Sequence, residues 1–164
     1  MFIAELTLLL IALRISCGRS GQGYCMKIAI CHSMQFAEKV KEVQEWYKER
    51  GHEAFPSKFN DKYLGLDDEQ KEKLKLEHKY NKEAIREHWE IIQTVDKVLV
   101  LNYDRNDVKN YIGGNSFLEM GFAYILHKPI YLLNPIPEIP YYKTEIIAMK
   151  PKIINGDLSL VLKL

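Results

Sequence analysis

From residue 26 onward, two hydrophobic patterns alternate along the chain. Short runs of consecutive apolar residues are separated by longer stretches with apolar positions every three or four residues. The first pattern predicts strands covered on both faces, and the second predicts amphipathic helices. KIAICH at Lys27–His32 predicts the first strand. Residues 35–50 carry Phe36, Val40, Val43 and Tyr47 on one helical face, and Gly51 stands where a helix commonly ends. Residues 52–55 predict a weaker second strand, stopped by Pro56, and residues 57–66 a loop. Asp67-Asp68 opens a charged helix predicted to run to about Thr94. Its inner stripe is Leu74, Asn81, Ile85, His88 and Ile92, with Trp89 beside it. DKVLVLNY at 96–103 predicts the central strand of a parallel sheet. A polar loop ending in glycine follows over 104–114, then a nearly all-apolar helix over 115–127 and a fourth strand at 129–133. A proline-rich loop leads to a short helix near 144–149. Residues 152–154 predict strand five, and 157–164 a closing helix.

This order predicts a three-layer α/β domain of flavodoxin-like (Rossmann-like) type. It has five parallel strands in the order 2-1-3-4-5, joined by right-handed crossovers. In such a sheet, ligands bind at the carboxyl ends of strands 1 and 3, where the order reverses. That rule nominates Cys31, His32 and Ser33 after strand 1 and Asp104 after strand 3. It also nominates the helix entrance Gly113, Gly114, Asn115 and Ser116, with Glu119 just inside.

Composition sharpens this in three ways. A length of 164 residues suits one domain with a full core. Twenty-three Lys+Arg against 22 Asp+Glu leave a net charge of +1, so no broad attraction to nucleic acid or an acidic membrane is expected. The alternating charges of 67–94 predict a solvated face, not a nucleic-acid arm. Cys17, Cys25 and Cys31 make no paired disulfide framework and no zinc-spaced cluster, which predicts a reducing, cytoplasmic setting. Residues 1–25 differ from the rest. Their longest uncharged run, 6–13, is short of the ~20 residues that span a bilayer, and no Lys or Arg precedes it. Three readings stay open for this leader: a poor signal or anchor, an extra helix, or a mis-set start. The last is favoured, because Met26 is followed at once by a strong strand, and the domain is then expected to span 26–164.

The most informative chemistry is Y-I-G-G-N-S-F-L-E-M-G. The glycine pair allows close approach of a ligand, and a helix start offers free N–H groups to a phosphate or sugar hydroxyl. Glu119 is the only charged residue between Lys109 and Lys128. It suits a nucleophile or an acid/base. Equally, Ser116 to Glu119 fits a capping box. Ser33 reads as a helix cap or a ligand donor, and His88 as a core histidine or a functional one. Asp104 reads as a ribose-binding carboxylate or an ordinary loop residue. Gly121, inside the helix, predicts close packing.

These residues resemble the nucleoside 2-deoxyribosyltransferase-like superfamily, including its 2′-deoxynucleoside 5′-monophosphate N-glycosidases. The resemblance rests on the C-x-S turn at Cys31-His32-Ser33, on TVDKVLVLNYD, and on Glu119, Gly121, Ala123, Lys128 and Pro129 within FLEMGFAYILHKPIYLL. It implies an enzyme that cleaves or exchanges the N-glycosidic bond of a (deoxy)nucleoside or its 5′-monophosphate. Glu119 would be the nucleophile that carries a glycosyl-enzyme intermediate. No metal or redox cofactor is expected. The partner would be a small-molecule nucleoside or nucleotide, in a homodimer or higher homo-oligomer. His88 stands near the family's Asp, in the role of orienting substrate or protonating the base. Ala29 and Gln35 stand where the monophosphate branch has Tyr and Arg. That departure supports an alternative, a nucleotide-binding or sensing module with a degenerate site.

Overall fold

A computed structural model describes residues 24–163. The expectations for the leader fall mostly on residues 1–23, which lie outside the described residues. The first element is β1, Lys27–His32, in which Ile28, Ala29, Ile30 and Cys31 are fully buried. A 3₁₀ turn at Met34–Phe36 leads into α1, Ala37–Lys48, whose Val40, Val43 and Tyr47 face inward. Then come β2 (Glu53–Phe55), α2 (Asp68–Asn81), α3 (Ala84–Thr94) and β3 (Lys97–Leu101). They are followed by α4 (Gly114–Ile125), β4 (Ile130–Leu132), α5 (Lys143–Ala148) and β5 (Lys152–Ile153). The five strands are all parallel, in the order β2-β1-β3-β4-β5. Among the described residues no helix is long and apolar enough to cross a membrane.

Alternation along the strands divides the core into two layers. Ile28, Ile30, Leu99 and Leu101 pack with Val40, Val43 and Tyr47 of α1, and with Val161 from a closing 3₁₀ turn at Leu158–Leu162. Ala29, Cys31, Val98 and Val100 pack on the other side with Ile92 of α3, Met120 and Ala123 of α4, and Ile146 of α5. Both faces of β1 and β3 are therefore dry, which explains their unbroken apolar sequence.

Two expectations are corrected. The helix over 67–94 is two helices, broken at Lys82-Glu83, where Glu83 adopts a left-handed φ of 49°. An unbroken helix of that length would run about 40 Å, roughly twice the ~20 Å length of a six-residue strand. The break lets α3 turn Glu87, His88 and Ile92 inward, while Asn81 and Ile85 of the expected stripe are exposed. The half before it is held differently: His78 is buried, with its ring 4.5 Å from that of Phe59 and its Nδ1 3.0 Å from the Tyr63 hydroxyl. The second correction concerns Gly121. A Cβ there would meet nothing within 4 Å, so close packing does not account for this glycine.

Candidate active site

The cleft opens at the carboxyl ends of β1 and β3, against the N-terminus of α4. It has a volume of about 190 Å³ and is lined by His32, Ser33, Gly113, Gly114, Asn115, Ser116 and Glu119 from the sequence-predicted set. Met34, Lys75, Lys79, Arg105 and Tyr111 complete it.

Its floor is made by α4. Gly113 is the N-cap, in extended conformation, and no side chain caps the helix. Ser116 and Glu119 both lie inside α4, so the capping-box reading is corrected: neither side chain closes the helix end. A Cβ on Gly113 would come within 3.2 Å of the Tyr111 ring, which is a steric reason for glycine at this turn. The N–H groups of the first turn stay available on the cleft side. Ser116 is almost fully buried.

Glu119 leans on α3. Its Oε1 lies 2.7 Å from His88 Nδ1, with the histidine 2% exposed and the carboxylate 12%. The two atoms are close enough for an ion pair but out of line for a straight hydrogen bond. Burial disfavours charge on His88. The Glu119 carboxylate, with Glu87 and the Phe55 backbone, outweighs burial and lifts its pKa above the ordinary histidine range. Glu119 Oε2 is buried without a hydrogen-bond partner. Glu87, next to His88, is occupied by Ser57 Oγ at 3.3 Å and Lys58 N at 3.4 Å.

Behind Glu119 sits Cys31. Its Sγ, a His88 ring nitrogen and a Glu119 oxygen all lie within 4.8 Å of one another. Burial first, and the Glu119 charge second, raise the Cys31 thiol well above its usual pKa. It is therefore a protonated thiol at neutral pH. His32 takes the opposite direction. Burial pushes its pKa down to about 4, so the ring is neutral. Its Nδ1 lies 3.0 Å from the Ser33 carbonyl, which can only accept. The proton therefore sits on Nδ1, and Nε2 is a buried acceptor without a partner.

The rim is cationic and was not legible in the sequence. Arg105 donates to Ser33 Oγ at 3.2 Å and to Glu72 Oε1 at 2.7 Å, and lies 5.5 Å from the Tyr111 ring centre. Glu72 also accepts from Lys75 and Gln35. The Lys75 bond, followed by those from Arg105 and Gln35, outweighs burial and draws the Glu72 pKa down to about 2. Lys79 has a pKa below the usual lysine range because of burial and the neighbouring Lys75 charge. Asp104 stands apart from the cleft. It is exposed, accepts from Asn110 N at 2.8 Å, and borders a separate hollow with residues 105–109.

No family model matches the sequence, and no curated protein matches it. Solved structures do. The chain is similar to a 2-deoxyribosyltransferase from Bacillus psychrosaccharolyticus, with a TM-score of 0.53 and 17% identity over 84% of this chain and 91% of that one. It also matches the CMP N-glycosidase BcmB of Clostridium botulinum, with a TM-score of 0.42 and 15% identity over 78% and 85%. What is shared with the transferase is the fold.

Proposed function

We propose that this protein is an enzyme that cleaves or exchanges the N-glycosidic bond of a nucleoside 5′-monophosphate, with Glu119 as nucleophile. The observation that carries the reading is the Glu119 carboxylate, pinned by His88 at the floor of a cleft that also holds a helix N-terminus and a cationic rim. The fold shared with a 2-deoxyribosyltransferase supports it.

The chemistry follows from the placement. A Glu119 oxygen attacks C1′ of the sugar from the face opposite the base. The C–N bond breaks, its electron pair leaves with the base, and the base takes up a proton from solvent. The resulting sugar–carboxylate ester is opened by water, giving hydrolysis, or by a second base, giving exchange. Two displacements at C1′ give net retention. His88 is a positioning residue in this scheme: it touches Glu119 and holds the carboxylate in place. The first-turn N–H groups of α4, with Arg105 and Lys75, suit the phosphate. Lys79 adds positive charge at the same mouth.

The test is a panel of nucleosides and 5′-monophosphates, with free base followed by chromatography. Base release from a monophosphate, lost in Glu119→Gln, is the expected result. Base release retained in that variant contradicts the assignment. The rival reading is a nucleotide sensor. It draws on Arg105 already being engaged by Glu72 and Ser33, and its signature is binding without release of base.

A further inference from the structure

Cys31, His88 and Glu119 come from three elements, β1, α3 and α4, yet their donor atoms gather within 4.8 Å. Cys31 and His88 are buried, and neither ring nitrogen of His88 has an aligned hydrogen-bond partner. Glu119 Oε2 is likewise buried and unpartnered. Buried polar atoms without partners are uncommon in native proteins, and their concentration in one spot points to a missing ligand. A thiol, an imidazole and a carboxylate form the donor set of zinc, being too soft for magnesium or calcium. Three protein ligands with a fourth position free is also the arrangement of open zinc sites. Of the three, Glu119 is the one that borders the cleft.

We infer that Cys31, His88 and Glu119 form a binding site for a zinc ion, and that zinc bound there withdraws Glu119 from catalysis. The second half rests on the proposed function, whereas the first half does not. Zinc–ligand bonds of about 2.0–2.3 Å place ligand atoms roughly 3.3–3.8 Å apart. The set therefore fits after shifts of about 1 Å: the sulfur closes in and the His88–Glu119 contact opens. On binding, the Cys31 thiol proton and the proton of a His88 imidazolium go to solvent. The sulfur, nitrogen and oxygen lone pairs go to the metal. No electron is transferred. Zinc on a Glu119 oxygen draws electron density out of the carboxylate and turns it toward the metal, which weakens it as a nucleophile towards C1′, so the metal acts as an inhibitor at the nucleophile itself.

The test uses the full 164-residue chain, freed of metal by a chelator and titrated with zinc chloride or cobalt(II) chloride. One equivalent of zinc is expected to bind. Cobalt is expected to give the near-ultraviolet absorption of a sulfur–cobalt bond in the wild-type chain, a reading that needs no variant. Cys31→Ala, a small change that keeps the buried position apolar, should weaken zinc binding by on the order of 100-fold and abolish the sulfur band. Unsaturable binding overturns the site. So does bound cobalt without a sulfur band, or an unchanged zinc affinity in Cys31→Ala. In parallel, stoichiometric zinc should stop base release, and chelator should restore it. Base release absent with and without zinc overturns the glycosidase reading alone, and the metal site then stands or falls on the cobalt spectrum.

Discussion

The floor and the rim of the cleft are built by opposite means. The floor is dry: Glu119 sits on α4, its partner His88 is 2% exposed on α3, and Cys31 closes the space behind. Each of those elements is held by apolar packing against the sheet. The rim is wet. Arg105, Glu72, Lys75 and Gln35 are tied to one another by hydrogen bonds and ion pairs between α2, the loop after β3 and the turn after β1, with Glu72 47% exposed. A dry contact is insensitive to salt and costly to break, because it leaves a buried charge alone. A wet one is screened and contributes little to stability. In the proposed reaction the floor would fix the position of the reacting group, and the rim would tune how strongly an anion is held.

The largest expected effect is at the floor. Glu119→Gln keeps the size of the side chain and removes the nucleophile, so base release should fall by on the order of 1,000-fold or more. Circular dichroism should stay unchanged. Next is His88→Ala, which leaves the Glu119 carboxylate buried without its partner. Stability should fall by roughly 3–5 kcal/mol in denaturant titration, and kcat should fall more than KM changes. A purely structural histidine would cost stability with kcat intact in the folded fraction.

The pH dependence separates two histidines of the same floor. The folded pKa of His32 is lowered to about 4, against roughly 6.5 for an unperturbed histidine. The unfolded chain thus binds the proton more readily. This contribution is fully present above the unfolded pKa and is lost as pH falls through the window from about 6.5 towards 4, at a cost of roughly 3 kcal/mol. His32→Gln should flatten that acid limb of the stability profile, measured as Tm against pH. His88 has the opposite sign. Its raised pKa stabilises the fold at low pH, and that contribution is lost as pH rises through the folded value.

The smallest effect is at the rim. Arg105→Ala should raise KM for a 5′-monophosphate about tenfold, as expected for loss of a charge-assisted contact. It should do much less for the free nucleoside, and stability should change by under about 1 kcal/mol. The KM advantage of the nucleotide over the nucleoside should shrink as salt is added to the wild-type protein. An unchanged ratio would contradict a phosphate role for the rim.

The same division governs what was legible in the sequence. Continuous burial writes itself as continuous hydrophobicity, so KIAICH and KVLVL announced β1 and β3, and with them the sheet order and the position of the cleft. Glu119 stood out as a lone charge in an apolar helix. The rim left no such mark. Lys75 and Lys79 belong to a helix of alternating charges that reads as solvated, and the fold sets both at the cleft. Arg105 is aimed by a loop whose Asn106, Asp107 and Asn110 take left-handed conformations, which no periodicity reports. Cys31, His88 and Glu119 are too far apart in the chain for any spacing rule to join them.

A covalent sugar–Glu119 ester leaves its mark in the stereochemistry of turnover. Proton NMR of the sugar product at early times, on a nucleoside 5′-monophosphate that the enzyme turns over, reads the configuration at C1′ before it equilibrates. Retention is the expected result, since two displacements pass through Glu119. A first-formed product of inverted configuration would mean that water attacks C1′ directly and that no sugar–Glu119 ester forms.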